Sequence, residues 1–268
     1  MKQHAGSYDF GTFSRNDAEL DRLTRQAELA RDIERGILQQ AGLRNGMRVL
    51  DLACGPGVIT RIIADLVPDS EVYGVDLSEP LLETARQSLC GHEHAHLVFQ
   101  QGNVYELDPG LGYFDFVYAR FLFQHLERPM AALREIQRVL APGGILLVAD
   151  VDDQWLTLYP EPYSFKRFTD EAARGQSLAG GDRRIGRKLL HYMSKAGYTD
   201  VDLRIETITS CMVGMRNFLD VTTGFKKEQM NHRGRVEVAK ELEEIYQLVD
   251  DPEAFGSVGV FLARGKQA

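Results

Sequence analysis

Two acids and two glycines stand at a spacing that could hold a nucleotide-type ligand. Asp51 lies in an apolar run that ends at Gly55 and Gly57, a helical pattern follows, and a second apolar run ends in Asp76. Glycine lacks a Cβ, so the turn can approach a ligand closely. An acid at the tip of the second strand can accept hydrogen bonds from both ribose hydroxyls. The spacing therefore predicts a ligand across the carboxyl ends of two parallel strands.

The third position of the glycine turn argues against a dinucleotide. The dinucleotide pattern is Gly-x-Gly-x-x-Gly, and Thr60 stands where its last glycine belongs. Asp51 also lies inside the first strand, four residues before Gly55. A nicotinamide dehydrogenase is therefore a poor fit to this turn.

A family resemblance can be identified on these residues. The chain resembles motif I of class I methyltransferases that use S-adenosylmethionine (SAM) in its pattern Asp51-x-x-Cys54-Gly55-x-Gly57. Three later segments resemble further motifs of that family: 101–104, 114–120 and 140–148. Over roughly residues 45–150 the chain is similar to small-molecule methyltransferases of the menaquinone and ubiquinone C-methylase kind, methyltransferase type 11/25. The resemblance implies SAM as cofactor and S-adenosylhomocysteine (SAH) as product.

The same resemblance implies a set of cofactor-binding residues at the strand tips. The set is Asp51, Gly55, Gly57, Asp76, Leu77, Asn103, Val104 and Arg120. Asp51 would lie near the methionine amino group, and the two aliphatic side chains would sandwich the adenine. Ser78 is predicted to cap the next helix, which frees Asp76 for the ribose. Asn103 stands where an aspartate is commoner, and its amide oxygen can still accept from the adenine amino group.

Some of these residues also have a purely structural interpretation. Asp51 could accept backbone N–H groups of the glycine turn, and Asp76 could favour the dipole of the helix that follows it. The two aliphatic residues could be ordinary packing residues. Cys54 is predicted to be a small buried filler rather than a nucleophile.

Arg120 and His125 follow the fourth strand, where the transferred methyl group should point. The backbone of Arg120 would run along the methionine moiety, or its side chain would bind an anionic substrate. His125 is the candidate general base, and the alternative is a packed histidine bonded to backbone. Methyl transfer often needs little beyond alignment of nucleophile, carbon and sulfur.

The sequence does not predict a metal site. Three acids end the fifth strand, Asp150, Asp152 and Asp153, and they are predicted to be substrate contacts or solvated turn residues. A magnesium site of the catechol O-methyltransferase type would also need an acid after the fourth strand, where Arg120 stands. Three alternating histidines lie in a polar segment, which favours an exposed loop over a zinc site: His92, His94 and His96.

The composition suits a soluble enzyme with a small-molecule substrate. The chain has 268 residues and a net charge of −8, which argues against nucleic acid as a partner. No apolar run approaches the ~20 residues of a membrane span. Three cysteines without paired spacing fit a reducing compartment. We therefore expect a cytoplasmic protein with no membrane partner, and a homodimer is compatible with the sequence.

The patterning predicts an α/β fold, a Rossmann-like, mostly parallel sheet of seven strands with helices on both faces. The predicted strands are 47–53, 71–76, 97–102, 113–119, 144–150, 201–208 and 255–263, the last of them antiparallel. The chain 1–268 is predicted to be a single methyltransferase domain. Its parts are an N-terminal helical cap (1–40), the SAM-binding core (41–151), a substrate lid (152–186 and 212–252) and the rest of the core (187–211 and 253–268).

The lid prediction rests on position and composition. Ligands in open α/β sheets bind at the carboxyl edge, and a lid there would exclude water from a reactive sulfonium. The N-terminal segment is rich in aromatic residues, and from it Tyr8 and Gln26 could reach the cofactor. The alternative is that these segments are packing helices that complete the core or build a dimer interface.

Three functions are compatible with the motifs. The first is SAM-dependent methyl transfer to an oxygen, nitrogen or carbon nucleophile of a small organic acceptor. The second keeps SAM but catalyses a different reaction, such as a decarboxylation or cyclisation in a natural-product pathway, because a fold does not fix a reaction. The third, methylation of RNA or protein, is disfavoured, because the chain has no basic patch and no Asn/Asp-Pro-Pro-Tyr/Phe motif after the fourth strand.

Overall fold

Strands and helices alternate along the chain in the predicted order. The computed structural model describes residues 7, 8, 10, 16–88, 96–228 and 238–268. The strands are β1 (Arg48–Leu52), β2 (Glu71–Asp76), β3 (Leu97–Gln101), β4 (Phe114–Arg120), β5 (Leu140–Val151), β6 (Thr157–Tyr159), β7 (Thr199–Thr209) and β8 (Phe255–Lys266). The α-helices are α1 (Asn16–Leu29), α2 (Arg31–Ala41), α3 (Val58–Leu66), α4 (Glu79–Gln87), α5 (Pro129–Val139), α6 (Phe165–Leu178), α7 (Leu189–Ala196), α8 (Ser210–Val213), α9 (Met215–Glu228) and α10 (Ala239–Tyr246).

The described strands form one sheet. Their order is β3-β2-β1-β4-β5-β8-β6, and β7 also pairs with β8. The pairs among β1 to β5 are parallel, whereas β8 runs antiparallel to β5, β6 and β7. The predicted α/β class and the antiparallel last strand are therefore confirmed.

The sheet has eight strands within the described ranges, one more than predicted. The additional strand is β6, which pairs with residues 255–257 of β8. Residues 260–266 of β8 are occupied by β5, so β6 takes the part of β8 that extends beyond β5. A strand of three residues is too short to show the alternation of apolar and polar side chains in the sequence. Part of the segment predicted as lid thus extends the sheet instead.

Helices cover both faces of the sheet, and the strands show why. Val117 and Ala119 of β4 enter a buried cluster that includes side chains of α5 and α7. Phe116 and Tyr118 enter a second cluster that includes side chains of α2 and α3. Side chains alternate between the two faces of a strand, so a strand covered on both sides is apolar nearly throughout.

The two insertions pack against each other beside the sheet. Side chains of β6, α6, α9 and α10 form a third buried cluster, with Phe168 and Phe218 among its fully buried members. Helix α1 lies against α9, and an exposed ion pair joins them, with 3.0 Å between Arg25 Nη1 and Asp220 Oδ2. No helix in the described part of the chain is long and apolar enough to cross a membrane.

Candidate active site

A cavity of about 680 Å³ lies at the carboxyl ends of β1 to β5. A volume of this size suits a small organic ligand. Seven of the eight predicted cofactor-binding residues line it, together with His125: Asp51, Gly55, Asp76, Leu77, Asn103, Val104 and Arg120. Further walls come from Tyr8 and Gln26 at the N-terminal side, and from α9, β7 and β8. The structure therefore brings the candidate site residues to one place.

The glycine turn presents open backbone to the cavity. Gly55 has φ +54°, and no atom lies within 4 Å of a Cβ built on it. Its N–H donates to Asp76 Oδ2 over 2.8 Å, and the N–H of Ser78 donates to Asp76 Oδ1 over 2.8 Å. The Asp76 carboxylate thus ties the turn after β1 to the tip of β2, and burial raises its pKa above the ordinary value.

The prediction that Ser78 caps α4 was wrong, and the ribose role of Asp76 stays a prediction. The Ser78 side chain makes no capping bond, and its Oγ is buried without a partner among the described residues. Asp76 itself accepts the backbone N–H at the start of α4. A carboxylate offers about four lone-pair positions, so these two bonds leave acceptor capacity for a ligand.

Gly57 has a role other than the predicted cofactor contact. It does not line the cavity. A Cβ built on it would lie 2.7 Å from Phe99 Cζ and 2.8 Å from Ala85 Cβ, and its φ is +75°. The missing side chain therefore lets the start of α3 pack against β3 and α4.

Asp51 is buried and bound to the residue that replaces the third glycine. It is 1% exposed and accepts a hydrogen bond from Thr60 Oγ1 over 2.7 Å. Burial raises the pKa of Asp51 to about 7, and the nearby acids Glu34 and Asp76 act in the same direction. The sequence marked Thr60 only as a missing glycine. Its hydroxyl on the first turn of α3 in fact orients the acid.

The tip of β3 and the residue after β2 provide a polar and an apolar surface. Asn103 Oδ1 accepts from the N–H of Tyr105 over 3.0 Å. Leu77 is 45% exposed although it is apolar, and Val104 is buried. Both line the cavity, so an apolar ligand group between them would cover surface that is otherwise in contact with water.

Arg120 is held by the helix that precedes β1. Its Nε donates to Glu34 Oε2 over 2.9 Å, and the hydroxyl of Tyr118 donates to the other Glu34 oxygen. The guanidinium also lies over the Phe121 ring, 4.3 Å from its centroid. The side chain is therefore engaged in structure, which disfavours the anionic-substrate alternative, and the predicted backbone contact stays a prediction.

The backbone is strained at two strand tips that line the cavity. Ala53, after β1, has φ +63°, and Phe121, after β4, has φ +52°. Left-handed backbone is unfavourable for residues with a Cβ and persists where the surrounding structure imposes it. Here the N–H groups of both residues are fixed, on Val75 O over 2.7 Å and on Ala149 O over 2.7 Å.

His125 lies in a short 3-10 turn, Phe123–His125, and is tied to Ser7. Its Nδ1 is 3.0 Å from Ser7 Oγ, and its carbonyl accepts from the Ser7 N–H over 2.9 Å. Burial, with the positive charges of Arg183 and Arg22, lowers the pKa of His125 to about 3. Such an imidazole is neutral and weakly basic at pH 7, so the general-base role stays a prediction that the electrostatics do not favour.

The acids at the end of β5 are buried and partnered, so the expectation of solvated turn residues was wrong, and the alternative of substrate contacts stays a prediction. Asp150 accepts from the N–H groups of Gln124 and Val151 over 3.0 and 2.8 Å, and burial raises its pKa to about 7. Asp152 pairs with Arg187. Asp153 pairs with Arg183 and Lys226. Apart from the adjacent Val151, these partners lie far away in sequence, so no local pattern indicates them.

The described ranges contain no group of three or more side chains that could hold a metal ion. His96 is exposed, and His92 and His94 lie outside the described residues. Cys54 is buried in a small cluster with Leu82 and Phe99, as predicted for a filler, and burial raises the pKa of its thiol.

The sheet order and the cavity at its carboxyl edge define a Rossmann-like α/β protein with a ligand site at the strand tips. A family model described as "Methyltransferase domain" matches residues 43–197. The chain therefore belongs to the methyltransferase-domain family, and the resemblance identified in motif I is confirmed.

Curated relatives share part of their length with this chain. An uncharacterised methyltransferase of Schizosaccharomyces pombe is 32% identical over 170 residues, which is 61% of this chain and 61% of the relative. The demethylmenaquinone methyltransferase of Staphylococcus aureus (strain JH9) is 31% identical over 129 residues, 48% of this chain and 53% of the relative. The chain thus spans less than two thirds of the length of these relatives.

Solved structures share the fold at low identity. A candidate methyltransferase from Bacillus halodurans C-125 aligns with a TM-score of 0.60 and 21% identity, over 88% of this chain and 99% of that one. Phosphoethanolamine N-methyltransferase 2 of Haemonchus contortus, solved with SAM, gives 0.58 and 20%, over 88% and 53%. The (4+2)-cyclase SpnF gives 0.56 and 21%, over 100% and 88%. At these identities the likeness shows the fold alone.

Proposed function

We propose that this chain binds SAM and transfers its methyl group to a small organic acceptor, releasing SAH. The observation that carries the proposal is the Asp76 carboxylate, which binds the Gly55 and Ser78 N–H groups at the edge of a 680 Å³ cavity. Membership in the methyltransferase-domain family supports it, because the family model spans the whole of this edge, residues 43–197.

The described residues fit the parts of such a cofactor. The open space at Gly55 would admit ligand atoms that a Cβ would displace. The remaining lone pairs of Asp76 would accept from the ribose hydroxyls. Asp51 would face the methionine ammonium, and Leu77 and Val104 would flank the adenine. The Asn103 oxygen already accepts from Tyr105, so its second lone pair would take the adenine amino group.

Bound SAM would supply an electrophilic methyl group and would leave as SAH, with the proton of the acceptor passing to solvent. The protein contributes alignment and exclusion of water. We assign His125 to this alignment, because its bonds to Ser7 hold the neighbouring Tyr8, which lines the cavity, in place.

The test is calorimetric titration of the full chain with SAM, with SAH and with NAD. We expect micromolar binding of SAM and SAH and none of NAD. Asp76→Ala should weaken SAM binding about 100-fold or more, because hydrogen bonds to a charged group contribute about 1.5–3 kcal/mol each. Asp108→Ala is the matched control, since Asp108 also accepts an N–H two residues ahead, from Gly110 over 2.8 Å, and does not line the cavity.

Failure of the folded wild-type chain to bind SAM or SAH would contradict the proposal, as would equal losses in the two variants. Preference for NAD would mean that the glycine turn holds a dinucleotide. Methyl transfer is distinguished from other chemistry on the same scaffold by incubation with SAM and a library of small acceptors. A transferase releases SAH in step with product, whereas a cyclase leaves SAM intact.

A further inference from the structure

One part of the cavity wall contains a buried cluster of charges. We call it the acceptor half, and it is formed by Gln124, His125, Asp153, Arg183 and Lys226. Asp153 accepts from Arg183 Nε over 2.9 Å and from Arg183 Nη2 over 2.7 Å. Lys226 Nζ lies 3.2 Å from Asp153 Oδ1. The three side chains are only 8%, 3% and 9% exposed for Arg183, Lys226 and Asp153.

The charges of this cluster do not balance among the described residues. One carboxylate, Asp153, faces two cations. Asp150 interacts with Arg183, but burial keeps its pKa near 7, so it carries less than a full negative charge. Arg22 also acts on Lys226, and Glu19 neutralises it through two hydrogen bonds of 2.7 and 2.8 Å. Burial lowers the pKa of Lys226 to about 8, so Lys226 is still mostly charged at pH 7. The cluster therefore keeps an excess of positive charge, which is costly in a buried position.

Hydrogen-bond donors also exceed acceptors in the cluster. The three N–H groups of Lys226 serve Asp153 and the Thr222 carbonyl, the latter over 2.8 Å. Each terminal nitrogen of Arg183 carries two N–H groups. One nitrogen donates to Asp153 and the other to Gln124 Oε1. Donor capacity therefore remains on both cations, and both line the cavity.

The walls beside the cluster are apolar. The cavity is also lined by Leu122, Phe218, Val221 and Val258. Phe218 and Val221 share α9 with Lys226, and Leu122 lies two residues before Gln124. A low local dielectric strengthens the attraction between a cation and an anion and makes an unpaired buried charge costly. This surrounding suits a ligand that combines an apolar body with one negatively charged group.

We propose that the acceptor half binds a carboxylate on an otherwise apolar small molecule, with Lys226 and Arg183 as the residues that hold it. The proposal rests on the proposed function, because it identifies the class of methyl acceptor as a small carboxylic acid. It assigns Lys226 a role in substrate specificity, whereas the choice of methylated atom depends on other residues of the cavity.

The test uses benzoate, 3-phenylpropionate and 4-phenylbutyrate, each paired with its primary amide, titrated into the full chain with and without SAH. We expect at least one acid to bind about tenfold or more tightly than its amide, as a hydrogen bond to a charged group would give. Lys226→Met should remove this preference, and Lys226→Arg should retain most of it. Lys188→Met is the matched control, because Lys188 pairs with Asp182 over 2.6 Å and does not line the cavity.

Equal binding of acids and amides by the wild-type chain would overturn the proposal. So would the absence of acid binding, or a preference for acids that survives in Lys226→Met. Thermal unfolding shows whether that variant is folded, and the wild-type comparison of acid with amide does not depend on it. If SAH binds and the preference is absent, the carboxylate site fails while the proposed function stands. If acids are preferred and neither SAM nor SAH binds, the proposed function fails while the site stands.

Discussion

The two halves of the cavity are built in different ways. The cofactor half, which comprises the walls at Asp51, Gly55, Asp76 and Asn103, is organised by hydrogen bonds between residues at most 21 apart in sequence, most of them to backbone N–H groups. Asp76 binds N–H groups of the glycine turn and of its own helix start, and Asp51 binds Thr60 nine residues away. The acceptor half is organised by side-chain charges from separate segments, with Asp153 holding cations from a loop and from α9.

This difference indicates which residues are restricted by the fold and which can vary to change the choice of ligand. A turn that depends on backbone geometry restricts the residues that it accepts, because a Cβ at Gly57 meets Phe99 and Ala85. A cluster of charges depends on the balance of its members, and a substitution there alters which ligand fits. We therefore expect changes in the cofactor half to affect any SAM enzyme of this fold, and changes in the acceptor half to affect the choice of acceptor.

The largest effect on stability is expected from Asp153→Asn. The variant leaves Arg183 and Lys226 buried without their carboxylate, and breaking a buried pair in this way costs about 3–5 kcal/mol. The measurement is the free energy of unfolding from urea denaturation at pH 7. Asp182→Asn is the control, because its ion pair with Lys188 is partly exposed and contributes less than about 1 kcal/mol. Similar losses in the two variants would mean that the cluster does not depend on its charges.

A somewhat smaller loss of stability is expected from Gly57→Ala in the cofactor half. The left-handed backbone costs about 1–2 kcal/mol for alanine, and overlap with Phe99 adds about 1 kcal/mol or more. Gly143→Ala isolates the backbone part, because Gly143 has φ +76° and nothing within 4 Å of its Cβ position. Urea denaturation of both variants measures the difference. Equal losses would show that packing at Gly57 contributes nothing.

A pH effect on SAM binding is expected from Asp51. Its pKa of about 7 means that the carboxylate which would face the SAM ammonium is mostly protonated at pH 6 and mostly ionised at pH 8. The affinity for SAM should therefore rise about tenfold between these values and level off above them. Calorimetric titrations at pH 6, 7 and 8 measure the slope, and Asp51→Asn should flatten it. A slope that persists in the variant would assign the titration to another group.

The smallest effect is expected at His125. With a pKa of about 3, its imidazole should stay neutral between pH 5 and pH 8. NMR of the chain labelled with ¹⁵N at histidine would follow the ring nitrogens, and the His125→Gln variant identifies the signal by its loss. A midpoint between pH 6 and 7 would contradict the electrostatic argument and restore His125 as a candidate general base.

The cofactor half was largely predictable because its determinants are local. The glycine turn, Asp51 and Asp76 lie within one strand–helix–strand unit, and periodicity alone places the tips of that unit together. The errors within it concern detail. Sequence cannot decide whether Ser78 or Asp76 accepts the N–H at the helix start, since both have suitable side chains. Nor does it show that a Cβ at Gly57 would meet Phe99.

The acceptor half was much less predictable because its determinants are tertiary. Asp153 was visible as an acid after β5, but nothing in the sequence connects it with Arg183 or Lys226. Those residues meet only when two insertions fold together beside the sheet. The short strand β6 was missed for a related reason, because it exists only where β8 extends beyond β5.

The bond between Arg120 and Glu34 has a consequence for how a ligand enters and leaves. Arg120 and Glu34 are 11% and 4% exposed, and the Tyr118 hydroxyl binds the same carboxylate, so a buried network anchors α2 to β4. The seam between α1 and α9 is joined by the exposed pair of Arg25 and Asp220, which contributes less than about 1 kcal/mol. Exchange of ligand is therefore expected to run through that seam, with α2 acting as a fixed wall.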